Sequence, residues 1–232
     1  MKIELRDAWR APGLRGTTLA VRAGEIVGIA GVDGNGQREL VRVLAGLDPL
    51  DRGELHAGGV AVVHEDRSIE GLVLDASVRD NLVLGELAEF TRSGVVDRHA
   101  LEREARRRLD RAGIEPRDLD LPARALSGGN QQKIVVERAL ARSARVAGLV
   151  FAQPTRGVDV AAARAIHDAI ERAAADGKAI LVVSADLDEL RALCDRVLVM
   201  ARGRVVADLP PGAPESSFGE AMLGAKPAER AP

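Results

Sequence analysis

Two short glycine-rich runs have the residue types and spacing to hold phosphate. The first is Gly31-Val32-Asp33-Gly34-Asn35-Gly36-Gln37-Arg38, between the apolar run Ile26–Ala30 and the stretch Glu39–Ala45. In that stretch Leu40, Val43 and Leu44 recur on one face, so the order reads strand, loop, helix. In this setting glycines let backbone N–H groups wrap a phosphate, and the helix N-terminus adds a favourable dipole. The complete pattern is G-x-x-x-x-G-K-[ST], whose lysine reaches phosphate and whose hydroxyl meets a magnesium ion. Here Gln37 stands in place of the lysine and Arg38 in place of the hydroxyl residue. The same glycines also suit a turn built for packing alone. The second run is Leu126-Ser127-Gly128-Gly129-Asn130-Gln131-Gln132-Lys133. It starts a predicted helix with a serine hydroxyl and two flexible N–H donors, which can grip a phosphate from outside. An N-capping serine followed by a glycine turn is the bland alternative.

The elements that would position these runs can be read along the chain. Ile3 and Leu5, then Leu19 and Val21, predict two early strands, and Ile26–Ala30 a buried parallel one. A further buried strand is expected from Gly59 to Val63, and a helical pattern from Ser77 to about Ala112. Ser127 to Ser143 reads as a helix, Ala147–Phe151 as a strand, Ala161–Ala174 as a helix and Ala179–Val183 as a strand. A helix from Leu187 and a hairpin turning at Gly203 follow. Alternating strands and helices predict an α/β fold with a largely parallel sheet. The segment from Pro210 onward, rich in Pro, Gly and Ser, is expected to be loosely held.

Composition narrows the field. The 232 residues can bury one good core, and 46% hydrophobic with 29% charged content is that of an ordinary globular chain. No apolar run approaches the ~20 residues of a membrane helix, and the start has no signal-peptide core, so the cytoplasm is the expected compartment. A net charge of −2 offers no footprint for nucleic acid. Arg106, Arg107 and Arg108, with Glu102 and Glu104 one turn away, read as a solvated helix face. The lone Cys194 is expected to be a buried, inert thiol. His56, His64, His99 and His167 have no metal-ligand spacing, so no metal site is expected from them.

The order of motifs then carries a resemblance. The eight-residue run at Leu126–Lys133 precedes Phe151-Ala152-Gln153-Pro154-Thr155-Arg156-Gly157-Val158-Asp159. Together with the glycine loop this order resembles the ABC ATPase family throughout. Glu65-Asp66-Arg67 followed by Gly71-Leu72-Val73-Leu74 narrows it to the tandem ATP-binding proteins of bacterial sugar and nucleoside importers, and to their C-terminal half. The spelling Ala152 to Gly157 is similar to the nucleoside branch. The resemblance covers nearly the whole chain, including Phe218–Gly224, which looks like the short helix ending those proteins.

This resemblance implies an ABC-type P-loop NTPase domain over residues 1–209, with an antiparallel β portion and a small helical subdomain at about 68–143. A tail with a short helix would fill 210–232. It implies ATP as cofactor, bound by Gly31, Asp33, Gly34, Asn35, Gly36, Gln37 and Arg38. Ser127, Gly128, Gly129, Asn130 and Gln131 would complete the site of an N-terminal ABC half, and Asp159 would be the D-loop contact. Glu65 takes the place of the Q-loop glutamine. The further partners implied are permease subunits in the membrane and, indirectly, a solute-binding protein, with the chain peripheral on the inner face.

Several positions depart from the family pattern. Ala152 and Gln153 replace the Asp that holds magnesium and the Glu that polarises water, and Ala185 stands in the switch-histidine place. Gln37 forfeits a charge-assisted phosphate contact of about 1.5–3 kcal/mol. Loss of a general base lowers rates by about 10²–10⁴. The expectation is an own site that turns ATP over poorly and in which magnesium is weak or absent, with Arg38 offering part of the missing charge. The segment from Gly53 to Glu65 is shorter than the family shows, and Trp9 reads as a core or surface residue before an adenine contact. Two other classes fit the sequence less well. A free-standing ABC ATPase of chromosome maintenance or translation would need a long coiled coil or a basic surface; between Arg67 and Leu126 there is room only for a small helical piece. A nucleotide-free scaffold has no use for Ser-Gly-Gly at a helix start.

Overall fold

The computed structural model describes residues 2–223. They form two compact units: the first from residues 2–62, 145–153 and 169–223, the second from 63–144 and 154–168.

In the first unit, β1 (Ile3–Arg10) and β2 (Leu14–Val21) pair antiparallel, and β1 also pairs antiparallel with β4 (Arg52–Ala57). Ile3, Leu5 and Ala8 of β1 are fully buried, which turns one face of this sheet into a core surface. The sequence does not mark β4, because its alternation is carried only by Leu55 and the small Ala57, among polar and charged neighbours. A second, six-stranded sheet has the order β11-β10-β3-β9-β8-β5. Here β3 is Ile26–Ala30, β5 Val60–Val63, β8 Gly148–Ala152, β9 Ala179–Val183, β10 Arg196–Ala201 and β11 Arg204–Leu209. β10, β3, β9 and β8 run parallel, and β11 returns antiparallel beside β10. Every residue of β3, β8 and β9 is buried, as expected of parallel strands covered on both faces. The core joins this sheet to β1, β2 and the apolar side of α1 (Gln37–Leu44).

α6 (Leu187–Leu193) crosses β3, where Cys194 is buried. Burial, with the charges of Glu189 and Asp195, pushes its thiol up to about 12. The inert-thiol reading therefore stands. The expectation of a loose segment beyond Pro210 does not: α7 (Glu215–Met222) buries Phe218 completely, and Arg191 donates to the Pro211 carbonyl. One aromatic anchor outweighs a turn-rich composition. Gly224 and the rest of the tail lie outside the described residues.

The second unit contains α2 (Val78–Leu82), the two-residue strands β6 (Thr91–Arg92) and β7 (Val95–Val96), α3 (Arg98–Ala112) and α4 (Gly128–Ala141). The β6–β7 hairpin interrupts the helical pattern expected from Ser77 to Ala112, because Ser93-Gly94 takes positive φ at both positions. α5 (Val160–Ala175) begins in this unit and ends in the first. The basic run is only partly a solvated face. Arg108 is 4% exposed and forms a bidentate pair with Glu86, besides donating to the Leu82 carbonyl. Helical geometry turns Arg108 inward with Leu101 and Ala105, while Arg106 and Arg107 stay outside.

Candidate functional site

β3 delivers the glycine loop at the carboxyl end of the parallel sheet, with β9 and β10 on either side, the end at which open α/β sheets hold ligands. Gly36 has a φ of 102°, and a side chain on it would strike the Gly13 carbonyl, so only glycine fits. Asn35 fastens the loop to the β10–β11 turn. Its carbonyl accepts from the Gly203 N–H (3.0 Å) and its Oδ1 from the Arg202 N–H (2.7 Å). The Gly203 carbonyl in turn accepts from the Arg15 N–H (2.8 Å) and the Thr17 hydroxyl (2.7 Å). Gln37 folds back over the loop: its Nε2 donates to the Val32 carbonyl at 3.1 Å and occupies space beside Gly31, where a β-carbon would stand 2.5 Å away. Gly31, Asp33, Gly34 and Arg38 complete the loop, with Asp33, Gly34 and Arg38 exposed.

The neighbouring strand ends hold the substituted residues. Ala152 closes β8 and is buried. Gln153 follows with a φ of 50°, its N–H donating to the Val183 carbonyl at 2.7 Å. Its Oε1 accepts from the Ala185 N–H at 3.2 Å. The structure thus joins two of the predicted site residues directly. Beside them the Ser184 hydroxyl donates to Glu189 at 2.6 Å, and Asp186 caps α6.

The second unit gathers the rest. Ser127 caps α4, and its Oγ accepts from both the backbone N–H (3.4 Å) and the side-chain amide (3.2 Å) of Asn130. A hydroxyl has two acceptor lone pairs and one donor, so these two bonds leave the Ser127 O–H available to donate, beside the Gly128 and Gly129 N–H groups, which as first-turn donors have no partner within the helix. Asn130 also exchanges two bonds with the Glu115 backbone, at 2.6 and 3.2 Å. Gln131 donates to the carbonyls of Ala123 (3.1 Å) and Leu126 (3.3 Å), closing the turn into the helix. Asp159 caps α5 through the Ala162 N–H at 2.8 Å. Glu65 is exposed and ion-paired with Arg156. One working residue, Arg67, carried no role in the sequence reading, and Asn35, expected as a nucleotide contact, has a further role as the anchor of the loop. Asn35 matters through a hairpin 167 positions away, and Arg67 through Gln131 and Arg156, 64 and 89 positions away. Only the spelling Glu-Asp-Arg hinted at the second.

A protein-family model for ABC transporters matches residues 14–149, more than half of the chain. The chain belongs to the ABC transporter family. It is 43% identical over 204 residues to the ribose import ATP-binding protein RbsA 2 of Streptomyces coelicolor, covering 82% of this chain and 39% of that one. To ribose import ATP-binding protein RbsA 1 of Rubrobacter xylanophilus it is 41% identical over 224 residues, covering 90% of this chain and 44% of the relative. The chain thus spans about two fifths of the length of these relatives. The dimeric post-hydrolysis structure of the ATP-binding cassette MJ0796 superposes with a TM-score of 0.76 at 21% identity, over 91% of this chain and 99% of that one. The fold is that of an ABC ATPase cassette, as the motif order predicted.

ABC cassettes use ATP with magnesium, and the residues present fit the two unequally. The loop fits a phosphate group: Gly36 begins α1 with no side-chain cap, leaving the first helical N–H groups for an anion. For magnesium the donor set is poorer: Arg38, Ala152 and Gln153 supply neither hydroxyl nor carboxylate, and only the Gln153 amide oxygen remains. Among the described residues no three His, Cys, Asp or Glu side chains converge.

Proposed function

We propose that this chain is the nucleotide-binding component of an ABC importer, working as the half that completes a partner's ATP site and not as an independent ATPase. The observation that carries the reading is the contrast between the two motifs. The helix start at Ser127 is fully built, with its hydroxyl oriented by Asn130, whereas Gln37, Ala152, Gln153 and Ala185 strip its own site of charge, metal ligand and base. Bound magnesium ATP on the partner cassette supplies the phosphoryl group and its activation. This chain's share is to present the Ser127 hydroxyl and the Gly128 and Gly129 N–H groups to negative charge, from a helix end that favours it.

Its own loop holds a phosphate group through backbone donors, with magnesium weak or absent. Asp159 contributes to the interface with an N-terminal ABC half, and Glu65 to the face toward permease subunits. The transported solute is a nucleoside or a simple sugar, delivered by a solute-binding protein. The nucleoside-type spelling at Ala152–Gly157 and the relatives named for ribose import share a ribosyl group. No helix among the described residues is long and apolar enough to cross a membrane, which suits a peripheral place on the inner face beside the permease.

The test is steady-state phosphate release by the purified chain over a range of its own concentrations, alone and with a cassette whose phosphate loop and catalytic residues are intact. Turnover only in the mixture supports the reading. Turnover that rises steeply with this chain's own concentration overturns it.

A further inference from the structure

Arg67 opens a π turn, Arg67–Gly71, which Asp66 caps by accepting from the N–H groups of Ser68 (2.9 Å) and Ile69 (3.2 Å). From there its guanidinium reaches three places. Nε donates to Gln131 Oε1 at 3.4 Å, and Nη1 to the Arg156 carbonyl at 3.1 Å. Nη2 lies against the α4 start, where a β-carbon on Gly128 would come within 2.6 Å of it. Arg156 closes the circuit by pairing with Glu65, two residues before Arg67. Gln131, held from one side by Arg67, holds Ala123 and Leu126 on the other. Glu65, Arg67, Gln131 and Arg156 are therefore one connected network around the entrance to α4.

We propose that Arg67 is a positioning residue for the phosphate clamp: it ties the Ser127–Gln131 helix start to the Glu65 segment and to the Arg156–Gly157 turn, so that the three move together. The proposal rests on reading that helix start as the clamp. A planar guanidinium fork holds a side-chain amide and a main-chain carbonyl in fixed, separated directions, whereas the three donors of a lysine ammonium radiate from a single atom on a flexible stem. A guanidinium beside the positive end of α4 opposes the helix dipole until an anion arrives. It is therefore retained for geometry and for the bound state, not for the stability of the empty helix.

The experiment uses the purified chain carrying Arg67→Gln or Arg67→Lys, with Glu65→Gln as a milder variant that breaks only the exposed pair. Amide hydrogen exchange is followed in peptides covering residues 65–72 and 126–132, with α3 as the folding control. Arg67→Gln is expected to raise exchange in both segments together by about 10-fold and to leave α3 unchanged, Arg67→Lys failing to restore it. Glu65→Gln should show a smaller rise in the same two segments. When an intact cassette is added, Arg67→Gln should lower kcat about 10-fold with KM for ATP within about 2-fold, because ATP sits on the partner's loop. Wild-type exchange at 126–132 in Arg67→Gln, or rescue by lysine, overturns the proposal. A wild-type chain that gives the partner no rate increase overturns the functional reading instead, and the exchange result still decides the role of Arg67.

Discussion

Gln153 and Ala185 were singled out separately by the sequence, one in the place of the general base and one in that of the switch histidine, and they meet in the structure. The Gln153 amide oxygen occupies the backbone N–H of Ala185, with Gln153 itself held at positive φ. A carboxylate would accept that N–H equally well, so Gln153→Glu should fold like the parent. It should not start hydrolysis, because Ala152 still offers no metal ligand and Gln37 no charge. Phosphate release by the purified Gln153→Glu chain is expected to stay at the parent level. A rise of about 100-fold would mean that the missing base alone silences the site. Nucleotide retained on the chain's own loop is expected to survive EDTA; strict magnesium dependence in a filter-binding or fluorescence titration would exclude backbone N–H groups as its main contact. Asn35→Ala removes the tie to Arg202 and should lower stability by about 0.5–1.5 kcal/mol in urea melts.

Helices α2, α3 and α4 are joined by charge as much as by apolar packing. Arg108 and Arg142 converge on Glu86, which is 3% exposed, while Arg138 donates to the carbonyls of Gly71 and Asn81. Burial, then the charge of Arg142, draws Arg138 down to about 10, which still leaves it protonated at neutral pH. Removing one partner of a buried pair strands the other, so Arg108→Met should destabilise the second unit by about 3–5 kcal/mol in a urea titration followed by far-UV circular dichroism. Burial by itself raises the Glu86 carboxyl, but hydrogen bonds and charge from Arg108 and then Arg142 outweigh it and hold the group below its ordinary value. A carboxyl lowered on folding contributes stability above its unfolded pKa of about 4.3, lost as pH falls through the folded value. Between about pH 5 and 3 the urea midpoint of Glu86→Gln should therefore fall less steeply than that of the parent. Glu137 works in the opposite sense: burial, only partly offset by Arg111, raises its carboxyl. Its contribution is fully present below the unfolded pKa and is lost as pH rises through the folded one.

At the scale of the molecule, the glycine loop with Ala152, Gln153 and Ala185 belongs to one unit, and Ser127, Glu65, Arg67 and Asp159 to the other. On the proposed reading, a chain with a clamp and without a working site of its own acts beside an unlike partner, since two copies would combine two silent sites. Light scattering with an intact cassette and a non-hydrolysed ATP analogue is expected to show a one-to-one complex. Assembly into self-dimers alone, at the same concentrations, would count against the heteromeric reading.

The strands β3 and β9 were legible to the residue, and the start of α4 to its capping serine, because continuous burial and N-capping are written in local residue types. The glycine loop and the Ser-Gly-Gly helix start were legible for the same reason: tight turns and helix starts are marked by glycine and capping residues at fixed offsets. Strand β4 and the inward turn of Arg108 were not, since a charged residue carries no local mark of the neighbour that buries it. The anchoring of Asn35 on the β10–β11 turn and of Arg67 on Gln131 and Arg156 was decided by tertiary structure alone. Those bonds join residues 64 to 167 positions apart, and a hydrogen bond has no periodicity along the chain by which to foretell it.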